Sequence, residues 1–286
     1  MSSAVQPGYA PPAGPQPPDA GSGWPRWLVA LTVAWAVLLA GLTWYSARND
    51  PPTVREQRTL AQAVPVVDAA IGELVAAAAG AVPALAPPEI ERGCRITPFA
   101  TGATLRRQVD LAVAGGEERA LLEQVSDGLP AAWRAGVRVT SDGPRLRADA
   151  GEFVTVQGRQ VGDGRIRLTA ETGCRPVDGE PAAPAPGAAG AEARALAEAL
   201  RALGAPTVEP TELVTATCPG GGVSRTVRSA DVVPAGSPTA ALAPLAGGTP
   251  VVETPETYAY RRDGVAVLAE LGPDGVTLAA TTGCPG

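Results

Sequence analysis

The sequence contains no histidine and no lysine, so all 23 of its basic residues are arginines. Without histidine there is no imidazole to activate a serine or cysteine nucleophile, to act as a general base near neutral pH, or to bind zinc. The excess of alanine, glycine, proline and arginine is typical of a G+C-rich bacterial genome, which accounts for most of the missing lysine. The missing imidazole nevertheless excludes several common classes of enzyme.

The sequence also lacks the short motifs that mark other common reactions. It has no G-x-S-x-G nucleophile motif and no C-x-x-C pair, which a thiol redox site would need. The glycine-rich stretch at 219–225, PGGGVSR, does not end in the Gly-Lys-Ser/Thr of a phosphate-binding loop, and a hairpin turn is the simpler interpretation. We therefore predict that the protein is not an enzyme and has no catalytic residues, no metal and no cofactor.

Aromatic residues are scarce, at 4% of the chain, and the arginines form no dense basic run. Nucleic-acid binding is therefore not expected, since it needs clustered positive charge and rings for base stacking. The formal charge of −6 is unevenly spread: residues 92–175 hold 13 arginines and 10 acids, whereas residues 176–286 hold 6 arginines and 12 acids. Two interpretations stay open. The surface charge of the two regions has simply diverged, or the positive region faces the acidic region or an anionic partner.

One long apolar run stands near the amino terminus, at residues 27–45, WLVALTVAWAVLLAGLTWY. As a helix, these uncharged residues would be about 28 Å long, close to the thickness of a bilayer's hydrocarbon core. Trp24 and Trp27 stand at one end of the run and Trp44 and Tyr45 at the other, as in the aromatic belts of membrane helices. We predict that residues 27–45 form a transmembrane helix in contact with the lipid bilayer.

The same run has to be weighed as a cleaved signal peptide. A cleavage site after Ala47 would have Tyr45 where a small residue is needed, which favours a retained anchor. One arginine precedes the run and three follow it closely, which opposes a cytoplasmic amino terminus, whereas paired structural cysteines need an oxidising compartment. We give the cysteines more weight and expect a cytoplasmic, disordered, proline-rich tail at 1–26, with the C-terminal region outside the cell membrane.

A helical stripe follows the anchor. Thr53, with Glu56 three residues later, has the pattern of a capping box, and Pro65 inside the stripe should kink the helix. We expect the stripe to pack on the domain that follows, and a coiled-coil seam is the alternative. The apolar residues recur in steps of three and four at Leu60, Val64, Val67, Ile71, Leu74 and Ala78.

A stretch of nine residues is repeated in the sequence with substitutions: IRLTAETGC at 166–174 and VTLAATTGC at 276–284 are identical at five positions. A turn signal precedes each copy, GDG at 162–164 and PDG at 273–275. Apolar and polar residues alternate within the first copy, as in a half-buried strand. Each copy is therefore predicted to be the last strand of a hairpin that ends at a cysteine.

The similarity extends backwards from these strands. Each half of the sequence predicts the order helix, two strands, helix, two or three strands, and a linker composition at 177–190 separates the halves. We predict an α+β fold in which the transmembrane helix is followed by two duplicated helix/antiparallel-sheet modules, at 53–176 and 191–286. The alternative is one continuous domain with pseudo-twofold symmetry.

Four cysteines allow three pairings. The duplication selects Cys94 with Cys174 and Cys218 with Cys284, so that each module is closed from its first strand to its last. Structural disulfides of this kind form outside the cytoplasm.

Arginines cluster in the first module. Within strands, Arg145 and Arg147 share a face, and so do Arg165 and Arg167, so these four could form a patch that binds lipid phosphates or an acidic envelope polymer. The alternative is a solvated outer face whose charges are balanced by neighbouring acids. The wider cluster consists of Arg106, Arg107, Arg145, Arg147, Arg159, Arg165 and Arg167.

These inferences predict a non-enzymatic, single-pass membrane protein. Its extracytoplasmic region is expected to mediate protein interaction, sensing or assembly at the cell envelope, with another envelope protein or envelope component as partner. The alternative function is an extracytoplasmic module that binds a small molecule or a lipid.

Overall fold

The computed structural model describes five segments of the chain, which fall into two compact units, Met1–Pro51 and Pro52–Gly286. The predicted tail at 1–26, except for its last two residues, lies outside the described residues, and so does most of the predicted linker at 177–190. The described segments are 25–49, 58–178, 190–205, 212–272 and 275–284.

The first unit contains helix α1, Arg26–Asn49. Its residues 26–46 are long and apolar enough for a membrane span or a signal segment, and none of that window is buried within the structure. The tryptophans of the run are exposed, Trp27 by 66% and Trp44 by 61% of their surface. The described residues include a second helix of sufficient length and hydropathy, Leu60–Ala77, but 44% of it is buried in the second unit, as in a core helix.

The second unit consists of helices and antiparallel strands, which confirms the predicted α+β class. Its first half, residues 58–178, contains α2 (Leu60–Ala77), β1 (Val82–Leu85), β2 (Glu89–Thr97), β3 (Ala100–Ala112), α3 (Glu118–Gly128), β4 (Gly136–Thr140), β5 (Gly143–Asp149), β6 (Thr155–Gly162) and β7 (Arg165–Glu171). Its second half, residues 190–284, contains α4 (Ala191–Ala202), β8 (Glu212–Thr217), β9 (Val223–Arg228), α5 (Pro238–Ala246), β10 (Val252–Glu253), β11 (Thr257–Arg262), β12 (Val265–Leu271) and β13 (Val276–Thr282).

The described strands form two antiparallel sheets with the same strand order. The first sheet runs β1-β3-β7-β6-β5-β4, and β2 also pairs with β3 beside β1. The second runs β8-β9-β13-β12-β11-β10, so that β8 stands where β2 stands and β13 where β7 stands. Each half has six matched strands, one helix before them and one helix between the second and third of them. These helices are α2 and α3 in the first half, and α4 and α5 in the second. Strand β1 has no counterpart among the described strands of the second half.

Helix α2 begins later than the first capping pattern predicts. Thr59 is its N-cap: the Thr59 side chain accepts a hydrogen bond from the backbone N–H of Gln62 at 3.3 Å, and the Gln62 side chain accepts one from the Thr59 N–H at 3.1 Å. The predicted cap at Thr53 lies outside the described residues. Both threonines have an acid or amide three residues later, and the cap lies next to Leu60, where the apolar stripe starts.

The apolar stripe of α2 packs into the core, as predicted. Leu60, Val67, Ile71 and Leu74 are all at most 1% exposed. Their cluster includes residues of the first sheet together with Val214 and Ala216 of β8, so α2 contacts both sheets.

Strand β1 also connects the two halves, because it belongs to the first sheet and packs against the second. It is hydrogen-bonded to β3 of the first sheet, whereas Val82 and Ala84 pack against Leu268 and other residues of the second sheet. The Leu85 N–H donates to Thr226 Oγ1 at 3.1 Å. The two halves therefore share a packed boundary, and the division into domains at 53–176 and 191–286 stays a prediction.

All four cysteines are paired as the repeated order predicts, Cys94 with Cys174 and Cys218 with Cys284. Their Cα atoms are 5.9 Å and 5.6 Å apart, within the normal range for disulfides. The first bridge links β2 to the end of β7 across β3, and the second links the end of β8 to the end of β13 across β9. Each bridge therefore joins an outer strand to a strand two places further into its sheet.

Candidate functional site

The outer face of the first sheet carries most of the charged side chains that the sequence grouped together. In β7, Ile166, Leu168 and Ala170 are buried toward the helices, and alternate with Arg165 and Arg167, which are partly exposed. Strands β5 and β6 alternate in the same way, and α3 covers their inner face. The period of two in the sequence therefore places the arginines of these strands on the solvent side.

Four arginines, one from each of four adjacent strands, lie directly opposite one another on this face. Arg138 of β4 pairs in register with Arg145 of β5, Arg145 with Arg159 of β6, and Arg159 with Arg167 of β7. Directly opposite residues have Cβ atoms about 5 Å apart, and like charges in such pairs destabilise a sheet. We refer to Arg138, Arg145, Arg159 and Arg167 as the arginine row.

Acidic residues neutralise only part of the arginine row. Arg167 donates to Asp110, the next residue in register on β3, from Nε at 2.7 Å, and this hydrogen bond raises the pKa of the Arg167 guanidinium above its ordinary value. Arg145 Nη2 lies 3.1 Å from Asp142 Oδ2, an exposed pair that contributes little. In the part of the chain that the structure describes, no carboxylate lies within 4.0 Å of Arg138 or Arg159.

A depression of about 230 Å³ lies beside the arginine row. Two residues further along the strands, Arg147 is in register with Gln157, and Gln157 with Thr169, so that neutral hydrogen-bonding side chains lie between the cations. Arg106 borders the depression, and its hydrogen bond to Glu171 at 3.0 Å raises the pKa of the Arg106 guanidinium. The depression is thus positive along the arginine row and neutralised at the Glu171 side.

The structure brings three of the four predicted patch residues together. Arg145, Arg147 and Arg167 line the depression. Arg165 is on the same face of β7, but its guanidinium forms an ion pair with Glu270 of β12, and burial lowers the pKa of the Arg165 guanidinium. The sequence could not predict this ion pair, because Glu270 is 105 residues away from Arg165.

Arg138 belongs to the site although the sequence-based cluster omitted it. The hairpin that joins β4 to β5 turns at Ser141 and Asp142, and this turn places Arg138 opposite Arg145. The Asp-Gly dipeptide at 142–143 was the available signal, since such dipeptides mark tight hairpin turns.

Two other recesses on the second unit have similar or larger volumes but a different charge. One, of about 220 Å³, lies between α4, α5 and β11–β12, where burial raises the pKa of Tyr260 to about 12. Another, of about 340 Å³, is open and borders the Arg165–Glu270 ion pair. Within the described residues, no three cysteine or acidic side chains converge as metal ligands would. The outer face of the first sheet is the strongest candidate site, because five arginines and a single acid line its depression, whereas acids equal or outnumber arginines in the other two recesses.

Neither a protein-family model nor a curated protein matches the chain. Among solved structures, the chain is similar to a DUF4853 family protein from Actinomyces odontolyticus, with 13% sequence identity and a TM-score of 0.33. The similarity covers 60% of this chain and 89% of that one.

Removing one charge from the arginine row should stabilise the protein. We expect Arg159→Gln to raise the free energy of unfolding by about 0.5 kcal/mol, because it relieves repulsion from Arg145 and Arg167 without breaking an ion pair. Urea unfolding of the full chain in neutral detergent, followed by pulse proteolysis, measures the change.

Arg119→Gln is the matched control. It removes the same charge from an exposed site on α3, but it breaks the ion pair with Glu123 at 2.8 Å, so a small loss of stability is expected. If Arg159→Gln destabilises the protein as Arg119→Gln does, the arginine row is not repulsive and the charges are structural.

Proposed function

We propose that the protein is a single-pass membrane protein whose second unit lies outside the cytoplasm and acts as a non-enzymatic interaction module at the cell envelope. Residues 27–45 are the membrane anchor, and the tail at 1–26 is cytoplasmic. The unburied apolar helix α1 supports the anchor. The two disulfides support an oxidising compartment for the second unit, since the reducing conditions of the cytoplasm keep cysteine thiols reduced.

The arginine row is the observation that carries the interaction function. Four like charges held in register cost folding stability, and their side chains point away from the core. Such a surface is favourable when an anionic partner covers it, because the partner supplies the missing counter-charge. We therefore assign this face to an anionic envelope protein or envelope component.

We also propose that the two halves arose by internal duplication, with modules at 53–176 and 191–286. The same order of strands and helices, the same placement of the disulfides and the repeated Thr-Gly-Cys ending support this origin. Helix α2 and strand β1 of the first module then serve as the elements that bind the second module. The arginine row is specific to the first module. In the repeated stretch, Arg167 corresponds to Thr277 of β13, which is in register with Glu270 of β12, and Glu270 is in register with Thr257 of β11.

Topology is tested with the full chain carrying one epitope at each terminus. After protease treatment of intact spheroplasts, we expect the C-terminal epitope to be lost and the N-terminal epitope to be protected. The protein should also stay in the membrane after alkaline carbonate extraction. A protected C-terminal epitope would show that the orientation is wrong, and release by carbonate would show that α1 is not an anchor.

The interaction is tested in cells with a photo-crosslinking amino acid at Gln157, which lies between the arginines in the depression. We expect an adduct at position 157 that disappears in the Arg138→Gln/Arg159→Gln variant. The control places the same amino acid at Arg119, on exposed α3. Equal adducts at both positions, or an adduct unaffected by the arginine substitutions, would contradict an interaction at this face.

A further inference from the structure

The geometry points to a specific ligand class for this face: we propose that the arginine row binds a linear phosphate polymer that lies across strands β4 to β7. This inference rests on the proposed function and names the chemistry of the partner. The shared chemistry is a chain of regularly repeated phosphate groups, whether inorganic or joined through an organic linker.

The first argument is the spacing of the charges. Neighbouring strands are about 4.8 Å apart, so the four arginines, one per strand, define a straight line about 14 Å long at right angles to the strands. A single small anion contacts one or two arginines of such a line. A polymer with a charge at every repeat contacts all of them at once, and so gains affinity from each.

The second argument is the chemistry of the side chains. Guanidinium groups bind phosphate oxygens with two parallel hydrogen bonds, which compact ammonium groups do not. Gln157 and Thr169 also line the depression and add neutral donors beside the arginines. Arg147 extends the cationic wall beside Arg145. The site therefore offers both charge and directional donors to the several oxygens of each phosphate.

The third argument distinguishes this ligand from other polyanions. A lipid surface is held by large apolar side chains inserted next to the basic ones, but the residues that line the depression include no aromatic ring. The same lack of rings argues against nucleic acid, whose bases stack on aromatic side chains.

The experiment uses the full chain in phosphatidylcholine nanodiscs and an end-labelled, long-chain polyphosphate, with binding followed by fluorescence anisotropy. We expect Arg138→Gln/Arg159→Gln to weaken binding at low salt by at least about tenfold and to lower the slope of log Kd against log salt concentration by about 2. The control Arg119→Gln/Arg134→Gln removes two charges from exposed sites outside the row. It should change Kd by less than about twofold.

Three other probes identify which kind of anion binds to the arginine row. A polymer of glycerol phosphate that binds with the same sensitivity to the arginine row extends the ligand to organic phosphodiesters. Orthophosphate that binds as tightly as polyphosphate, at equal phosphate concentration, overturns the linear polymer in favour of a single-anion subsite. Phosphatidylglycerol vesicles that bind through the arginine row, while polyphosphate does not, overturn it in favour of a lipid surface.

Failure of this inference is distinguishable from failure of the proposed function. If polyphosphate does not bind, or binds the variant and the control equally, the polymer is wrong. A protein adduct at Gln157 that depends on Arg138 and Arg159 would then leave the interaction function standing, with a protein partner. If the adduct is missing as well, both proposals fall.

Discussion

The double substitution Cys218→Ser/Cys284→Ser is expected to lower the free energy of unfolding by about 4 kcal/mol. The bridge spans 66 residues, and opening a loop of that length gives the unfolded chain many more conformations. The loss also affects the folded state, because Cys218 is only 4% exposed and follows β8, an edge strand of its sheet. Urea unfolding of the full chain in neutral detergent, read by pulse proteolysis, measures the difference.

The other disulfide provides the comparison. Cys94→Ser/Cys174→Ser opens a loop of similar length, 80 residues, so a loss of similar size is expected. The single variant Cys94→Ser should make Cys174 available to a maleimide after denaturation without reductant, while Cys218 and Cys284 stay protected. Unfolding midpoints that are equal before and after reduction would contradict the stabilising role of both bridges.

The second large effect is expected at the boundary between the halves, where Asp68 of α2 accepts three hydrogen bonds. It forms an ion pair with Arg107 of β3, and it accepts from Thr217 of β8 through the backbone N–H at 3.1 Å and the hydroxyl at 2.6 Å. Arg107 is buried, and its Nη2 also donates to Thr215 O at 2.5 Å. We expect Asp68→Ala to lower the free energy of unfolding by about 3 kcal/mol, because it leaves a buried guanidinium without its counter-charge.

Glu73→Ala is the matched control, since Glu73 is a half-buried carboxylate on the same helix. It should cost much less, because none of the hydrogen bonds or ion pairs between described residues involves it. The double variant Asp68→Leu/Arg107→Met should recover most of the stability that Asp68→Ala loses, since it removes the uncompensated charge. If Asp68→Ala and Glu73→Ala have equal effects, the ion pair does not hold the halves together.

The arginines of the first half differ in whether an acid of the chain pairs with them. Arg107 is buried against α2, Arg165 pairs with Glu270 across the boundary, and Arg106 pairs with Glu171 within the sheet. Each of them is matched by an acid of the chain itself. Arg138 and Arg159 have no such partner within 4.0 Å among the described residues, and they are therefore the residues on which the polyanion proposal depends.

Close approach of the backbones also joins the halves, at Gly72 of α2. A Cβ atom added there would lie 1.7 Å from the carbonyl oxygen of Thr217 in β8. Cys284 Sγ lies 3.7 Å from the Gly72 carbonyl oxygen. A larger residue at position 72 would separate α2 from β8, so this glycine permits the contact.

Several elements were predictable because their signals are local. The alternation of Arg165 to Glu171 indicated the last strand of the first sheet, and the repeated Thr-Gly-Cys ending selected the correct disulfides among three possible pairings. The apolar stripe of α2 likewise indicated which side of the helix is buried. The spacing of Leu121, Val125, Leu129 and Trp133 predicts a helix over 117–134, and its end is wrong. Helix α3 ends at Gly128 and a 3-10 turn follows Pro130, because proline disfavours helical geometry in the residue before it.

By itself, the sequence determined the α+β class, the apolar helix at the amino terminus and the cysteine pairing, because period, composition and repetition are properties of neighbouring residues. Only the tertiary structure decided that α2 and β1 join the two halves, that Arg165 is neutralised by Glu270, and that Arg138 completes the arginine row. Each of these depends on strand register or on contacts between residues far apart in the chain. Such contacts leave no periodic signal in the sequence, since register and ion pairing are set by how the packed elements meet.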